Sequence, residues 1–267
     1  MTFNFHTNPT ALITGASSGI GSALAQEFSE RGYNLILLAR RVEALGQLQQ
    51  EIKKKHPETK VVVVASDVSD FEKHMIQVRE AAKEFASLDL VVANAGIGYT
   101  TDETQKCWEK NKKTFDVNVL GAVATLEAAK DIMLKQGFGH LAGVTSMAAF
   151  RGLPVSSSYS GSKAALATFL ESMRIDLAKS NIAVTAIHPG FVATPMTEKN
   201  GHMPWLVPVD KAAQIIFKGL QKKKARILFP WQMMLLLMFL RRIPNCLYDF
   251  LMVRFVERAR VFKKDRL

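Results

Sequence analysis

The chain has 267 residues, of which 48% are hydrophobic and 22% charged, with a net charge of +11. This composition excludes a disordered or fibrous chain, and the length suits one large α/β domain or two small ones. Two cysteines, Cys107 and Cys246, lie far apart with no ligand residues beside them, which excludes a disulfide framework and a zinc pattern and fits a reducing, cytoplasmic setting.

The N-terminal stretch, Met1 to Thr10, has neither the basic nor the apolar region of a signal peptide. Charge is distributed unevenly. From Lys218 to Leu267 there are thirteen Lys/Arg against three Asp/Glu, a balance of +10, so the first 217 residues sum to about +1. A basic C-terminal fifth on a nearly neutral body leaves an anionic membrane surface, nucleic acid or plain solvent as its surroundings.

Thr10-Ala-Leu-Ile-Thr14 reads as a buried first strand. Gly15-Ala-Ser17-Ser18-Gly19-Ile20-Gly21 follows at once, and then an alanine-rich helical pattern runs to Arg31. Strand, glycine loop and helix form the context of a dinucleotide-binding turn, in which backbone N–H groups approach a pyrophosphate at a helix N-terminus. The second strand, Tyr33 to Leu38, ends in Ala39-Arg40-Arg41. An acidic residue at this strand end would accept from a ribose 2′-hydroxyl. Arginine instead suits a 2′-phosphate, so the sequence points to NADP(H), with NAD(H) allowed.

Lys60 to Ser66 is a β-branched third strand closed by Asp67-Val68, and Ser69 with Glu72 has the pattern of a capping box. Leu88 to Ala93 is a fourth strand ending in Asn94-Ala95-Gly96. A helical stretch from about Asp102 to Gln136 carries Asn118 midway, a poor mid-helix residue that either marks a useful distortion or is simply tolerated. His140 to Ser146 is a fifth strand with a polar end, and a helix follows from about Ser157 to Lys179. Within it Tyr159 and Lys163 stand four residues apart and share one face. A phenol beside an ammonium is a proton-transfer pair, and the ammonium is expected to lower the phenol's pKa from about 10 toward neutrality. Ile182 to Ile187 is a sixth strand, followed by His188-Pro189-Gly190, and Ala225 to Phe229 is a seventh. Strands alternating with helices predict a doubly wound parallel sheet, with ligands at the carboxyl ends of the strands. His140 and His188 each abut a strand and read as structural residues, and no residue cluster suggests a metal.

Thr14-Gly15-xxx-Gly19-Ile20-Gly21, Asp67, Asn94-Ala95-Gly96, Asn118, Ser146, Tyr159-xxx-Lys163 and Pro189-Gly190 occur in this order. In these motifs the chain resembles the short-chain dehydrogenase/reductase family over about residues 8–230, with Arg40 resembling the NADP-preferring members. Some of those members also place a basic residue where this chain has Ser18. The resemblance implies a Rossmann-type fold, a homo-oligomer and interconversion of an alcohol with a ketone or aldehyde. It implies Tyr159 as acid/base and Lys163 as the group that lowers its pKa and holds the nicotinamide ribose. Ser146 would bond the substrate oxygen, and Asn118 would hold a water passing protons to Lys163. Gly15, Gly19 and Gly21 would line the pyrophosphate, with Ser17 and Arg40 near the 2′-phosphate, and Ser18, Ile20 and Arg41 would belong to the same cofactor-binding set. Asp67 and Val68 would face the adenine, and Asn94, Ala95 and Gly96 would flank the ribose. Pro189, Gly190, Val192 and Thr194 would hold the carboxamide end. Two rivals on the same fold are a non-catalytic nucleotide sensor and a membrane-associated scaffold.

Residues 1–230 thus read as the dehydrogenase/reductase domain and 231–267 as a helical appendage. Pro230 to Leu240 holds nine apolar residues among eleven, followed by Arg241-Arg242, Pro244 and a second helical stretch. The run is shorter than the roughly 20 apolar residues of a spanning helix and is apolar all round, which predicts burial. Three burials compete: over its own substrate pocket, at a subunit interface, or in an anionic membrane surface at the inner face of a membrane. The apolar appendage and the loop from Phe191 to Pro208 hint at a lipid-like or bulky substrate. Nucleic acid is not expected.

Overall fold

The computed structural model describes residues 8–99, 107–198 and 203–264. Seven strands form one sheet: β1 (Thr10–Thr14), β2 (Asn34–Ala39), β3 (Val61–Ala65), β4 (Leu90–Ala93), β5 (Gly139–Val144), β6 (Ile182–Pro189) and β7 (Arg226–Phe229). Every pairing is parallel, and the order is β3-β2-β1-β4-β5-β6-β7. The doubly wound sheet expected from the sequence is therefore present.

Successive side chains on a strand point to opposite faces, which divides the strand residues between two cores. Ile13, Leu35 and Leu37 pack on one face with α1 (Gly19–Glu30), α2 (Val42–Lys55) and α7 (Val209–Gln221). Leu12, Ile36 and Leu38 pack on the other with α3 (Phe71–Ala82), α5 (Ala122–Gln136) and α6 (Ser157–Asp176). Burial on both faces is why the strands read as continuous apolar runs rather than alternating ones. Each fully buried Leu or Ile contributes about 1.5–3 kcal/mol.

Three local readings change. Ser69 does not cap α3, whose N-cap is Asp70. The Ser69 N–H and hydroxyl both donate to Asp67 Oδ1, at 3.0 and 2.7 Å, so the serine closes a turn after β3 instead. The long helix around Asn118 is not uniform. Helix α4 (Trp108–Phe115) passes through a π-helical turn at Asp116–Gly121 into α5. The start proposed at Asp102 lies outside the described residues. Finally, α8 (Trp231–Arg242) is not buried all round: Met233 and Leu237 are buried, while Trp231, Leu235 and Phe239 are exposed. Beyond it lies α9 (Asn245–Lys264).

Candidate active site

In an open parallel sheet a crevice forms where neighbouring strands send their connections to opposite faces, here between β1 and β4. The two strand ends are tied together. The Thr14 hydroxyl accepts from the N–H groups of Asn94 and Ala95, both at 3.1 Å. The Asn94 side-chain amide donates to the carbonyls of Thr14 (2.9 Å) and Gly15 (3.3 Å). Gly15 has φ of +66°, and a Cβ there would stand 2.8 Å from Ala95 Cα. At Gly21 a Cβ would lie 2.5 Å from the Gly15 carbonyl oxygen. The glycine spacing thus follows from two close backbone approaches, and it leaves the first N–H groups of α1 facing the crevice. No side chain caps that helix end. An uncapped helix N-terminus lined by glycine is suited to a phosphate.

The crevice has a volume of about 320 Å³. Gly15, Ser17, Ser18, Gly19, Ile20, Arg40, Arg41, Asp67 and Val68 line one end of it. Asn94, Ala95, Gly96, Ser146, Tyr159, Lys163, Pro189, Gly190, Val192 and Thr194 line the remainder. Gly21 and Asn118 stand behind this wall, the glycine under the Gly15 carbonyl and the asparagine beyond Gly96.

The two arginines take different positions. Arg41 Nη2 donates to the hydroxyls of Ser18 (2.6 Å) and Ser17 (3.1 Å), which fixes its guanidinium against the glycine loop. Arg40 Nη1 lies 3.8 Å from Asp67 Oδ2, with both side chains largely open to solvent. Burial pushes the Asp67 carboxyl up, but the Ser69 hydrogen bonds and the charges of Arg40 and Lys113 outweigh it and hold the group below its usual range.

At the other end, Ser146 closes β5 and caps a short 3₁₀ turn, accepting from the Ala148 N–H at 3.1 Å. Its hydroxyl also acts on the Tyr159 phenol, in the direction that lowers that group's pKa. Lys163 is 3% exposed and donates to the Val144 carbonyl at 2.8 Å. Burial lowers its pKa to about 8. The phenol differs from expectation. Burial raises the Tyr159 pKa, and the bond from Ser146 only partly opposes this. The Lys163 nitrogen sits 5.8 Å from the tyrosine ring centre and directs a proton to Val144, so it does not offset the desolvation. Tyr159 is therefore protonated at neutral pH, the form that donates a proton.

Asn118 is fully buried on the π-helical turn. Its Oδ1 accepts from the Ile97 N–H at 2.8 Å, and its Nδ2 donates to the Ile97 carbonyl (2.9 Å) and Ser162 Oγ (3.1 Å). A Cβ on Gly96 would meet both Asn118 Oδ1 and Lys163 Nζ at 3.3 Å. The asparagine thus clamps the strand-end loop against the lysine. The turn itself packs closely on the far end of the crevice, because a Cβ at Gly121 would lie 2.8 Å from Val68. The distortion that the misplaced asparagine hinted at has this positional consequence.

Several lining residues were not singled out from the sequence: Ser66, Ile97, Val117 and Thr145, while residues 195–197 fall within the loop from Phe191 to Pro208 that was. Thr145 and Ile97 adjoin motifs that were read, so strand-end position alone would have found them. Thr197 is different. Its hydroxyl donates to the Val192 carbonyl at 2.6 Å and orders the loop whose Thr194 packs on the glycine loop, and no sequence signal marks that role. His140 and His188 each bond a threonine hydroxyl, Thr185 and Thr145, at 2.8 and 2.7 Å. Burial lowers their pKa values to about 3 and 4, so both are neutral. No group of His, Cys, Asp and Glu among the described residues could hold a metal.

A glycine-lined helix end opposite a serine, a phenol and an ammonium defines the dehydrogenase/reductase class of doubly wound oxidoreductases. The short chain dehydrogenase family profile matches residues 9–205, and the chain belongs to that family. A relative from Myxococcus xanthus, described as an uncharacterized oxidoreductase, is 40% identical over 241 residues, covering 90% of this chain and 94% of its own. One from Mycobacterium tuberculosis is 33% identical, covering 84% and 89%. Among solved structures, an alcohol dehydrogenase from Thermococcus sibiricus complexed with 5-hydroxy-NADP is 29% identical, covers 82% of this chain and 93% of its own, and superposes with a TM-score of 0.73. L-Sorbose reductase from Gluconobacter frateurii, complexed with NADPH and L-sorbose, is 28% identical, covers 83% and 92%, and has a TM-score of 0.74. The protein is an oxidoreductase of this family.

Proposed function

We propose that the protein interconverts an alcohol and a ketone or aldehyde with NADP(H) as the hydride carrier, NAD(H) being the weaker alternative. The observation that carries this reading is one crevice with a phosphate cradle at one end and Ser146, Tyr159 and Lys163 at the other. The residues present fit such a nucleotide: the glycine cradle is open where a Cβ would fill it. Gly15, Ser18, Gly19, Ile20 and Gly21 would hold the pyrophosphate on the N–H groups of α1. Ser17, Arg40 and Arg41 would hold the 2′-phosphate, since Ala39 offers no carboxylate to a free 2′-hydroxyl. Asp67 and Val68 would border the adenine, Asn94 to Gly96 the ribose, and Pro189, Gly190, Val192 and Thr194 the carboxamide.

The bound nucleotide supplies or accepts hydride at the carbonyl carbon. This chain's residues manage the oxygen. Ser146 donates a hydrogen bond to it, which matters most as negative charge develops there. The protonated Tyr159 gives up its proton to that oxygen in reduction and takes it back in oxidation. Lys163 would hold the nicotinamide ribose with its ammonium, which in the free protein donates to the Val144 carbonyl rather than to the phenol. Asn118 keeps the loop and the lysine in place.

Residues 1–230 form the catalytic unit in this reading, and the appendage that starts at Trp231 borders the substrate end through Met233 and Leu237. A small molecule of apolar character fits there, because Met147, Phe150, Phe191, Met233 and Leu237 cluster beside Ser146. The setting is cytoplasmic. Assembly into a homo-oligomer is part of the proposal, supported by the exposed apolar side chains of Trp108, Leu134 and Ile175. A panel of carbonyl compounds of increasing length, each tried with NADPH and NADH, tests the reading by the loss of absorbance at 340 nm. Turnover with NADPH supports it. A protein that binds NADPH yet oxidises it with none of the carbonyls would be a nucleotide sensor.

A further inference from the structure

The C-terminal helices seat by one stripe each on the segment that follows Ser146. On α8 the inward residues are Met233 and Leu237, packed with Met147 and with the half-buried Phe150 and Phe191. On α9 the inward residue is Tyr248, whose hydroxyl donates to the Gly152 carbonyl and whose ring lies 4.2 Å from the Arg151 guanidinium carbon. Arg151 also donates to Asn245 Oδ1 at 2.9 Å. Residues 147–152 lie between Ser146 and Tyr159 in the chain, so both helices are anchored on the segment joining these two site residues.

The outward stripes are unusual for a surface. On α8 Trp231, Leu235, Phe239 and Arg242 recur at helical spacing and all face solvent, Trp231 being 63% exposed and Phe239 64% exposed. On α9 Leu247, Phe250, Leu251 and Arg254 repeat the pattern, with the Arg254 guanidinium 4.2 Å over the Phe250 ring. Each stripe is apolar and closes on arginine. Residues 231–267 hold eight Lys/Arg against three Asp/Glu, a balance of +5, and no helix among the described residues is long and apolar enough to cross a membrane.

We propose that the outward faces of α8 and α9 form an interfacial docking surface for an anionic lipid bilayer, which places the substrate end of the crevice next to the membrane. Two features favour lipid over a second copy of the chain. A twofold contact would bring two segments of like charge, +5 each, together, whereas anionic headgroups complement them. Trp231, Leu235 and Phe239 also supply the apolar face that an interface takes up, and the arginines at the ends of the stripes can snorkel to the headgroups. The proposal stands apart from the oxidoreductase reading, since docking does not require turnover.

The test uses the full chain and extruded vesicles of phosphatidylglycerol and phosphatidylcholine in equal parts, or of phosphatidylcholine alone, read by sedimentation. The protein should pellet with the anionic vesicles at low salt, and several-fold less with neutral vesicles or in about 0.5 M salt, on the order expected when screening removes charge attraction. The double variant L235E/F239E should lose binding under all conditions while still quenching its tryptophan fluorescence with NADPH, which shows that the body is folded. R241A/R242A should weaken binding to anionic vesicles about tenfold and leave neutral vesicles unaffected. An intact protein that ignores anionic vesicles at low salt overturns the proposal. So does concentration-dependent dimerisation that L235E/F239E abolishes with no vesicle binding by the parent, because the face is then a contact between copies.

Discussion

The sheet body and the C-terminal helix pair treat their apolar residues in opposite ways. In the body, Leu12, Ile13, Leu35, Ile36, Leu37 and Leu38 are each sealed between the sheet and a helical layer. In α8 two of the apolar side chains are sealed and most of the others are not. The body therefore has one arrangement that satisfies it, and the crevice residues inherit its rigidity. The appendage is seated by a narrow stripe beside Ser146, so it can shape access without defining the chemistry. The difference teaches where precision resides: strand ends tied across β1 and β4 hold the reacting groups, and the helices cover them.

Substitutions can break or sharpen this contrast. The largest effect should come from Lys163→Ala, with a loss of kcat on the order of 10²–10⁴-fold and weaker NADPH binding. In the parent, NADPH affinity should fall as pH rises through about 8, where the buried ammonium loses its proton. Fluorescence titration across the range from about pH 6 to about pH 10 checks this, and a Lys163→Ala profile as steep as the parent's would assign the effect elsewhere.

Acid should weaken the body strongly. His74, between Ser66 and Thr125, has its pKa lowered by burial from 6.5 to about 4. The unfolded chain takes up this proton at a higher pH than the folded one, so stability is intact above about pH 6.5 and is lost as pH falls toward 4. One such histidine corresponds to about 3 kcal/mol, and His140 and His188 act in the same direction. Urea unfolding at about pH 7 and about pH 4.5 measures it; equal midpoints would show that these rings are protonated in the fold.

The contrast in burial predicts a contrast in stability. Leu37→Ala should cost about 2–5 kcal/mol, whereas Phe239→Ala should stay within about 0.5 kcal/mol. A large loss at Phe239 would mean that the outward face is covered by protein. Somewhat smaller is the effect of Arg40→Ala, which should weaken NADPH by about 1.5–3 kcal/mol and NADH far less. Equal losses for the two nucleotides would pass the role to Arg41, which already lies against Ser17 and Ser18.

What the sequence disclosed follows the same division. The glycine loop, the strand-end asparagine and the Tyr159–Lys163 pair were legible because each obeys a local constraint: a close backbone approach, a strand terminus, a helical face. Asn118 was legible as an anomaly only. Its clamp on Ile97 depends on a π-helical turn that no local pattern specifies. The direction of the Tyr159 shift was misread because four-residue spacing places a lysine near a phenol without fixing where its protons go. Here one goes to Val144. The apolar run in α8 showed that something must cover it, but its composition could not separate the stripe that packs on Met147 from the one that faces out.

In the proposed reaction Tyr159 acts on the reacting oxygen and not on the nucleotide. Single-turnover oxidation of prebound NADPH by a carbonyl substrate, followed at 340 nm in the parent and in Tyr159→Phe, tests it most directly when NADPH affinity is measured on the same samples. The rate should fall by about 10²-fold or more with NADPH affinity changed less than about threefold, since a single lost hydroxyl contact is worth little more than that. A Tyr159→Phe variant that turns over at the parent's rate, or one whose defect lies wholly in NADPH affinity, would contradict it.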